Sequence, residues 1–136
     1  MAIVIPHPWL AEIGPHLFEQ VFPKMVTDEE LARFLHAVEA HVSAQQEPFA
    51  WVVMADALMS SSAKQRAEFA AAERRMKDKD QALCVGTAFV LTSAIARGAV
   101  TAVYWLSPPV YPYKVCATRE AALAWASGRL EGERSA

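Results

Sequence analysis

The stretch FAWVVMA at residues 49–55 decides the fold, because it is an almost continuous apolar run of strand length. Two similar runs follow it, CVGTAFVL at residues 84–91 and YKVCA at residues 113–117. A segment with the spacing of an amphipathic helix comes after each run. Strands this apolar are typical of parallel sheets that helices cover on both faces. The sequence therefore predicts an α/β fold, with a mixed sheet of roughly four to five strands and about four helices.

Length, composition and charge exclude several classes of protein. The chain has 136 residues, of which 54% are hydrophobic, and a formal charge of -2. This length suffices for one domain, residues 1–136, and this charge creates no field for nucleic acid or acidic membranes. The N-terminus lacks the basic region of a signal peptide, and the most apolar stretch, Ala94–Leu106, is too short to span a bilayer. We expect a cytoplasmic protein that neither binds nucleic acid nor inserts into membranes.

The first 26 residues predict an antiparallel strand pair ahead of the parallel strands. Residues 2–5 form a largely β-branched run, and residues 17–22 alternate apolar and polar side chains as a half-covered strand does. Gly14 and Pro15 between them give a turn signal. At the other end of the chain, residues 131–136 are polar and are expected to fray.

Capping residues mark the predicted helices. Thr27 and Glu30 form a capping box ahead of the first helix, and Ser93 and Thr118 are caps for the third and the last. The apolar stripe of the first helix consists of Leu31, Phe34, Leu35, Val38 and Val42.

The two central helices differ in character. The second, from Ala63 to about Asp80, carries a mixed run of charges that is typical of a solvated face with i,i+4 pairs. The third is apolar around more than half of its circumference. Such a helix is either covered in the core or presents an apolar strip to another molecule. Gly98 within it predicts a close backbone approach.

The carboxyl ends of parallel strands are where α/β proteins bind ligands. Asp56, Thr92, Ser93 and Arg119 follow the predicted strands and form a candidate polar site. For Asp56 and Ser93, capping of the next segment is the simpler interpretation. No glycine-rich turn follows any strand, which argues against dinucleotide and P-loop binding.

Histidine and cysteine placement predicts neither a metal site nor a cofactor. His36 and His41 are five residues apart, about 140° around a helix, so they cannot share one metal ion. Cys84 and Cys116 lack CxxC spacing and are expected to be buried free thiols. The GxSxG and HExxH patterns are also absent, and we predict no catalytic residues from any of these motifs.

The order of elements resembles the STAS domains, and most closely their SEC14-related, stage II sporulation protein AA-like branch. Members of that branch often end in a threonine-capped helix with an Ala-Leu-x-Trp pattern. The residues that match this pattern are Thr118, Ala122, Leu123 and Trp125. An apolar strand that ends in Asp, here residues 51–56, is a second similarity. The resemblance implies the fold already predicted and a bacterial regulatory role.

In anti-sigma-factor antagonists of this family, a serine of an Asp-Ser-Ser-Gly segment is phosphorylated, which controls binding to a partner kinase. The resemblance makes Ser60, Ser61 and Ser62 candidate phospho-acceptors at the start of the second helix. No Asp directly precedes these serines, and Ala63 stands where the family has glycine. Helix capping by one serine is therefore the alternative interpretation.

We first expect a non-catalytic regulatory or scaffolding module that binds a protein partner or forms a homodimer. Aromatic and basic side chains dominate such contacts. The candidate interface consists of Trp105, Tyr111, Tyr113, Arg66 and Arg74. Simple coverage of the sheet edge is the alternative role for the aromatic residues.

Two further functions stay open. The third helix would suit a carrier or sensor of an apolar, lipid-like ligand. The pocket would be lined by Phe89, Val100, Val103 and Tyr104. A small enzyme would use Asp56, Thr92 and Arg119, although these three side chains indicate no particular reaction.

Overall fold

The computed structural model describes residues 6–135, which form five strands and four α-helices. The strands are β1 (Leu10–Gly14), β2 (Leu17–Val21), β3 (Phe49–Met54), β4 (Cys84–Val90) and β5 (Tyr113–Cys116). The helices are α1 (Asp28–Ala44), α2 (Ala63–Leu83), α3 (Ala94–Leu106) and α4 (Arg119–Ser135). A short 3-10 helix, Asp56–Ser60, lies between β3 and α2. The predicted α/β class is confirmed.

The strands lie side by side in sequence order, β1-β2-β3-β4-β5. β1 and β2 are antiparallel, and each later pair is parallel, as predicted. Because crossovers between parallel strands are right-handed, this order puts α1, α2 and α3 on one face of the sheet. α4 packs on the other face, against β3, β4 and β5.

The first strand is not where the sequence pattern placed it. Residues 2–5 lie outside the described residues, and the partner of β2 is Leu10–Gly14. Pro15 and His16 form a two-residue link between β1 and β2. So short a link pairs the segments that lie directly before and after it. His16 adopts a left-handed φ of 59°, which such a reversal requires.

Each face of the sheet has its own apolar core. Val52 and Val90 are buried against α4, whereas Val53 is buried against the helices of the opposite face. Phe89 and Val115 also lie on strands but are half-buried. The predicted apolar layer is therefore present, and it is incompletely covered on the α3 side.

Side-chain caps begin the helices as predicted. Thr27 and Glu30 form a capping box, and a second one joins Ser62 to Gln65 at the start of α2. The Ser93 hydroxyl accepts a hydrogen bond from the Ala96 amide at 3.3 Å, and Thr118 caps α4 in the same way. α4 stays helical through Ser135, past residue 131, where the sequence predicts fraying.

α3 is the least covered helix, so the alternative of a fully buried third helix is wrong. Ala96 is its single buried residue, and the large side chains Ile95, Trp105 and Leu106 are 84–90% exposed. The helix lies beside the edge strand β5, with no further layer outside it. No atom outside the helix lies within 4 Å of a Cβ built on Gly98, so the predicted close approach is also wrong. Across residues 6–135, no helix is both long and apolar enough to cross a membrane.

Candidate functional site

A cavity of about 750 Å³ lies between α2 and α3, above β3 and β4. Ligand sites in proteins commonly measure about 300–1,000 Å³ and are mostly apolar with a few polar groups. The walls fit that description. Their principal apolar side chains are Phe34, Val53, Phe69, Met76, Phe89 and Val100. The cavity is therefore the leading candidate for a binding site.

Small side chains on the facing helices leave this space open. Ala70 and Ala72 of α2 and Ala99 of α3 all line it. At the far end, the Tyr104 ring packs against Phe89 and Tyr113, with ring centroids 5.6 and 4.8 Å apart. These aromatic contacts support the C-terminal end of α3 above the sheet.

The pocket residues proposed from the sequence all lie in this cavity. Its lining includes Phe89 from β4 and, from α3, Val100, Val103 and Tyr104. The sequence pattern therefore identified the face of α3 that lines the cavity. It did not identify the opposite wall, which α2 provides.

Two carboxyl groups of α2 line the cavity. Glu73 and Asp80 are seven residues apart, which is nearly two helical turns and puts them on one face. Asp80 is only 5% exposed, so the prediction that the charged run of α2 is a solvated face is wrong at this position. Burial is the larger of two causes that raise the pKa of Asp80 to about 7, and the negative charge of Glu73 is the other.

The Asp80 side chain has no hydrogen-bond or ion-pair partner within residues 6–135, although its backbone carbonyl accepts from the Cys84 amide. Glu73 is accessible to solvent and does have a partner, because the Tyr111 hydroxyl donates a hydrogen bond to it at 3.1 Å. Glu73 still reaches solvent, but the chain packed around its carboxyl group desolvates it and raises its pKa, and this hydrogen bond opposes the increase. Burial also holds the pKa of Tyr111 well above its ordinary value, so the phenol remains a donor.

Basic side chains also line the cavity, and all of them are exposed. The Arg66 guanidinium donates to the Ser61 carbonyl oxygen at 2.6 Å. Arg74 and Lys77 form no ion pair within the described part of the chain. The ion pairs of α2 instead run to α1, from Arg75 to Glu39 and from Lys64 to Asp28. The i,i+4 pairs predicted for α2 are not among the ion pairs seen in residues 6–135.

The polar site predicted at the strand ends is only partly assembled. The Asp56 carboxylate accepts hydrogen bonds from the Thr92 amide at 2.9 Å and from the Thr92 hydroxyl at 3.0 Å. Ser93 is occupied as the cap of α3. Arg119 instead binds the Glu19 carboxylate of β2, with its Nε 2.6 Å from Oε2. Asp56 therefore ties two loops together without Arg119.

The serines before α2 make local hydrogen bonds. The Ser62 side chain caps α2, and the Ser60 and Ser61 hydroxyls donate to the carbonyl oxygens of Ala57 and Leu58. Capping by one serine is thus confirmed for Ser62. Phosphorylation of any of the three stays a prediction.

The aromatic residues predicted for an interface separate into two groups. Trp105 is 84% exposed, whereas Tyr111 is buried and Tyr113 is half-buried against Tyr104. The two tyrosines therefore match the alternative role of covering the sheet. Arg66 and Arg74 lie beside the cavity and away from Trp105, which is on the opposite side of α3.

The remaining titratable groups form no second site. Cys84 and Cys116 are buried free thiols on opposite faces of the sheet. His41 is 1% exposed and packs edge-on against Phe18, with ring centroids 4.3 Å apart. Within residues 6–135, no group of three or more His, Cys, Asp or Glu residues is placed to hold a metal ion.

No protein-family model matches this chain, and no curated protein or solved structure matches it significantly.

Proposed function

We propose that this protein binds an apolar small molecule in the cavity between α2 and α3 and acts as its carrier or sensor. The observation that carries this proposal is the cavity itself, about 750 Å³ in volume and lined mainly by apolar side chains. Transfer of apolar surface from water into such a space is the main driving force for binding ligands of this kind.

The gain in affinity for each carbon atom of an alkyl ligand can be estimated. Each methylene that moves from water into the cavity contributes about 0.8 kcal/mol, which corresponds to roughly fourfold in affinity. A series of straight-chain alcohols should therefore bind more tightly with each added carbon, until the chain no longer fits. A mostly polar surface site would give a much smaller gain in affinity for each added carbon.

Ala70 and Ala67 provide a matched pair of variants for the test. Both are exposed alanines of α2, but Ala70 lines the cavity and Ala67 does not. The wild-type protein and both variants are titrated with the neutral fluorophore N-phenyl-1-naphthylamine, which 1-decanol then displaces. Native mass spectrometry of the purified protein identifies any lipid that it retains.

We expect Ala70→Trp to lose at least about tenfold in affinity for both probes, because the indole occupies the cavity. Ala67→Trp should bind like the wild type. Equal binding by all three proteins, or no binding by the wild type, would contradict the proposal.

The exposed strip of α3 favours a second candidate, a regulatory or scaffolding module that pairs with another copy of itself. Ile95, Trp105 and Leu106 form this strip beside β5, which is the edge strand of the sheet. Apolar side chains next to an unpaired strand edge are typical of surfaces that a second chain covers. The neighbouring copy would bury the three side chains and pair along β5.

Sedimentation velocity tests this second candidate. We expect a dimer at micromolar concentration, and a monomer for a variant that combines Trp105→Ser with Leu106→Ser. A wild-type protein that remains monomeric at 100 µM and above would exclude the homodimer while leaving the ligand-binding proposal intact.

A further inference from the structure

We propose that the ligand of this cavity carries a basic amine, that its ammonium group is bound by the carboxyl group of Asp80, and that the negative charge of Glu73 adds to the attraction. This inference rests on the proposed function, since it specifies the head group of an apolar ligand. The body of the molecule would lie against the apolar walls, and the amine would lie at the end where α2 carries the two acids.

The Asp80 side chain indicates that the ligand has a hydrogen-bond donor. This side chain lines the cavity, is 95% buried, and has no polar partner in the described chain. A buried carboxylate without a partner is costly, and proteins normally satisfy one with a cation, a metal ion or a proton. No donor of the described residues reaches the Asp80 carboxyl, so wherever this group is ionised a donor from outside the chain is needed at this end of the cavity.

The surrounding groups determine which kind of donor fits. Besides Asp80, α2 places Glu73 and the exposed cations Arg66, Arg74 and Lys77 on the cavity, and Arg66 donates to the Ser61 carbonyl oxygen. The other elements contribute neutral groups, namely Thr87 of β4, Tyr104 of α3, Tyr111 and, behind Asp80, the Cys84 thiol. Neither Arg74 nor Lys77 forms an ion pair with the two acids. Inside the cavity, two carboxyl groups thus lack a counter-ion from this chain.

Charge and ring placement both favour an organic ammonium group. An ammonium can donate a charge-assisted hydrogen bond to Asp80 and is also attracted by the charge of Glu73, whereas a hydroxyl donates only one neutral hydrogen bond. The rings of Phe89 and Tyr104 line the same cavity, and aromatic faces attract ammonium groups. An anionic lipid would be repelled by Glu73 and Asp80, and would have to hold its head group near Arg74 and Lys77.

Three probes with one chain length separate these possibilities. Decylamine, 1-decanol and decanoate, which each contain ten carbon atoms, displace N-phenyl-1-naphthylamine from the protein at pH 8. The variants are Asp80→Asn, which is nearly isosteric, and Glu73→Gln. The matched control is Asp78→Asn, because Asp78 is exposed on α2 and does not line the cavity.

We expect decylamine to bind at least tenfold more tightly than 1-decanol. Asp80→Asn should weaken decylamine binding at least tenfold and change 1-decanol binding less than about twofold. Glu73→Gln should have a smaller effect of the same kind, and Asp78→Asn should have none.

Either of two binding preferences of the wild type would overturn the inference and leave the proposed function in place. One is equal affinity for decylamine and 1-decanol, and the other is tighter binding of decanoate than of decylamine. An unchanged ratio of decylamine to 1-decanol affinity in both Asp80→Asn and Glu73→Gln would also overturn it. Failure of all three probes to bind would instead remove the proposed function itself.

Discussion

The Tyr111 hydroxyl donates a hydrogen bond to the Glu73 carboxylate at 3.1 Å, across 38 positions of sequence. This contact ties the proline-rich segment 107–112 to the middle of α2. Both residues line the cavity. The contact therefore fixes one wall of the proposed binding site and orients one of its two acids.

Removal of that hydroxyl should loosen this wall. Tyr111→Phe keeps the buried ring but loses the hydrogen bond, and we expect it to lower the free energy of unfolding by roughly 1 kcal/mol. Urea denaturation at pH 7 measures the change. Tyr113→Phe is the control, since no hydrogen bond of the Tyr113 hydroxyl is found within residues 6–135. Equal effects of the two substitutions would show that the contact with Glu73 contributes nothing.

Asp80 should make the protein less stable as the pH rises. The folded state holds the Asp80 proton up to about pH 7, whereas the unfolded chain releases it near the ordinary value of 3.8. The unfolded state therefore loses its proton first, and the free energy of unfolding falls between about pH 4 and pH 7.

Asp80→Asn should abolish this contribution. We expect the variant to match the wild type at pH 4 and to exceed its stability by at least about 1 kcal/mol at pH 8, measured by chemical denaturation. Asp78→Asn, on the exposed side of α2, should be neutral at both pH values. A wild type as stable as Asp80→Asn at pH 8 would mean that Asp80 is solvated.

His41 should make the protein less stable as the pH falls, which is opposite to the pH dependence expected from Asp80. Burial lowers its pKa from 6.5 to about 4, and neither ring nitrogen has a hydrogen-bond partner within the described residues. The unfolded chain takes up a proton as the pH falls below about 6.5, whereas the folded state resists until about pH 4. His41 therefore costs stability across that window.

His41→Leu should remove both the titration and the unsatisfied nitrogens. We expect the variant to gain at least about 1 kcal/mol relative to the wild type between pH 7.5 and pH 5, in thermal or urea unfolding. A constant difference between the two proteins over this range would indicate that His41 titrates alike in the folded and unfolded states.

Two glycines should respond oppositely to the same substitution. A Cβ on Gly86 would lie 2.9 Å from the rigid Trp125 ring of α4, so Gly86→Ala should destabilise the protein by about 1–3 kcal/mol. Gly98 of α3 has open space around it, so Gly98→Ala should stabilise the protein by up to about 1 kcal/mol. Midpoints of urea unfolding compare the two. If Gly86→Ala were harmless, α4 would not pack on β4 as closely as described.

The features that the sequence predicted correctly are local ones. A capping box such as Thr27 with Glu30 involves residues three apart, and the apolar runs that became β3 and β4 are continuous in sequence. The position of β1 was missed because residues 2–5 have stronger strand character than residues 10–14. The short link at Pro15 and His16, which selects the pairing, is a geometric constraint that composition does not express.

The cavity was only half predictable, because an apolar helical face looks the same whether it meets a core or an open space. Asp80 shows where a signal was available. Phe69, Ala72, Met76 and Asp80 follow each other at spacings of three, four and four residues, so Asp80 continues the apolar stripe of α2. The charged residues 77–79 directly before Asp80 obscured that position. The pairing of Arg119 with Glu19 spans 100 residues and gave no sequence signal.

The most direct test of the account is an amide chemical-shift map of the ¹⁵N-labelled protein titrated with 1-decanol. If the cavity is the binding site, the largest shifts will fall on the facing parts of α2 and α3 and on β4 near Phe89. α4, on the opposite face of the sheet, will remain unchanged. Shifts that concentrate on α4 or on the outer strip of Ile95, Trp105 and Leu106, or no shifts at all, would contradict the claim that this cavity binds an apolar ligand.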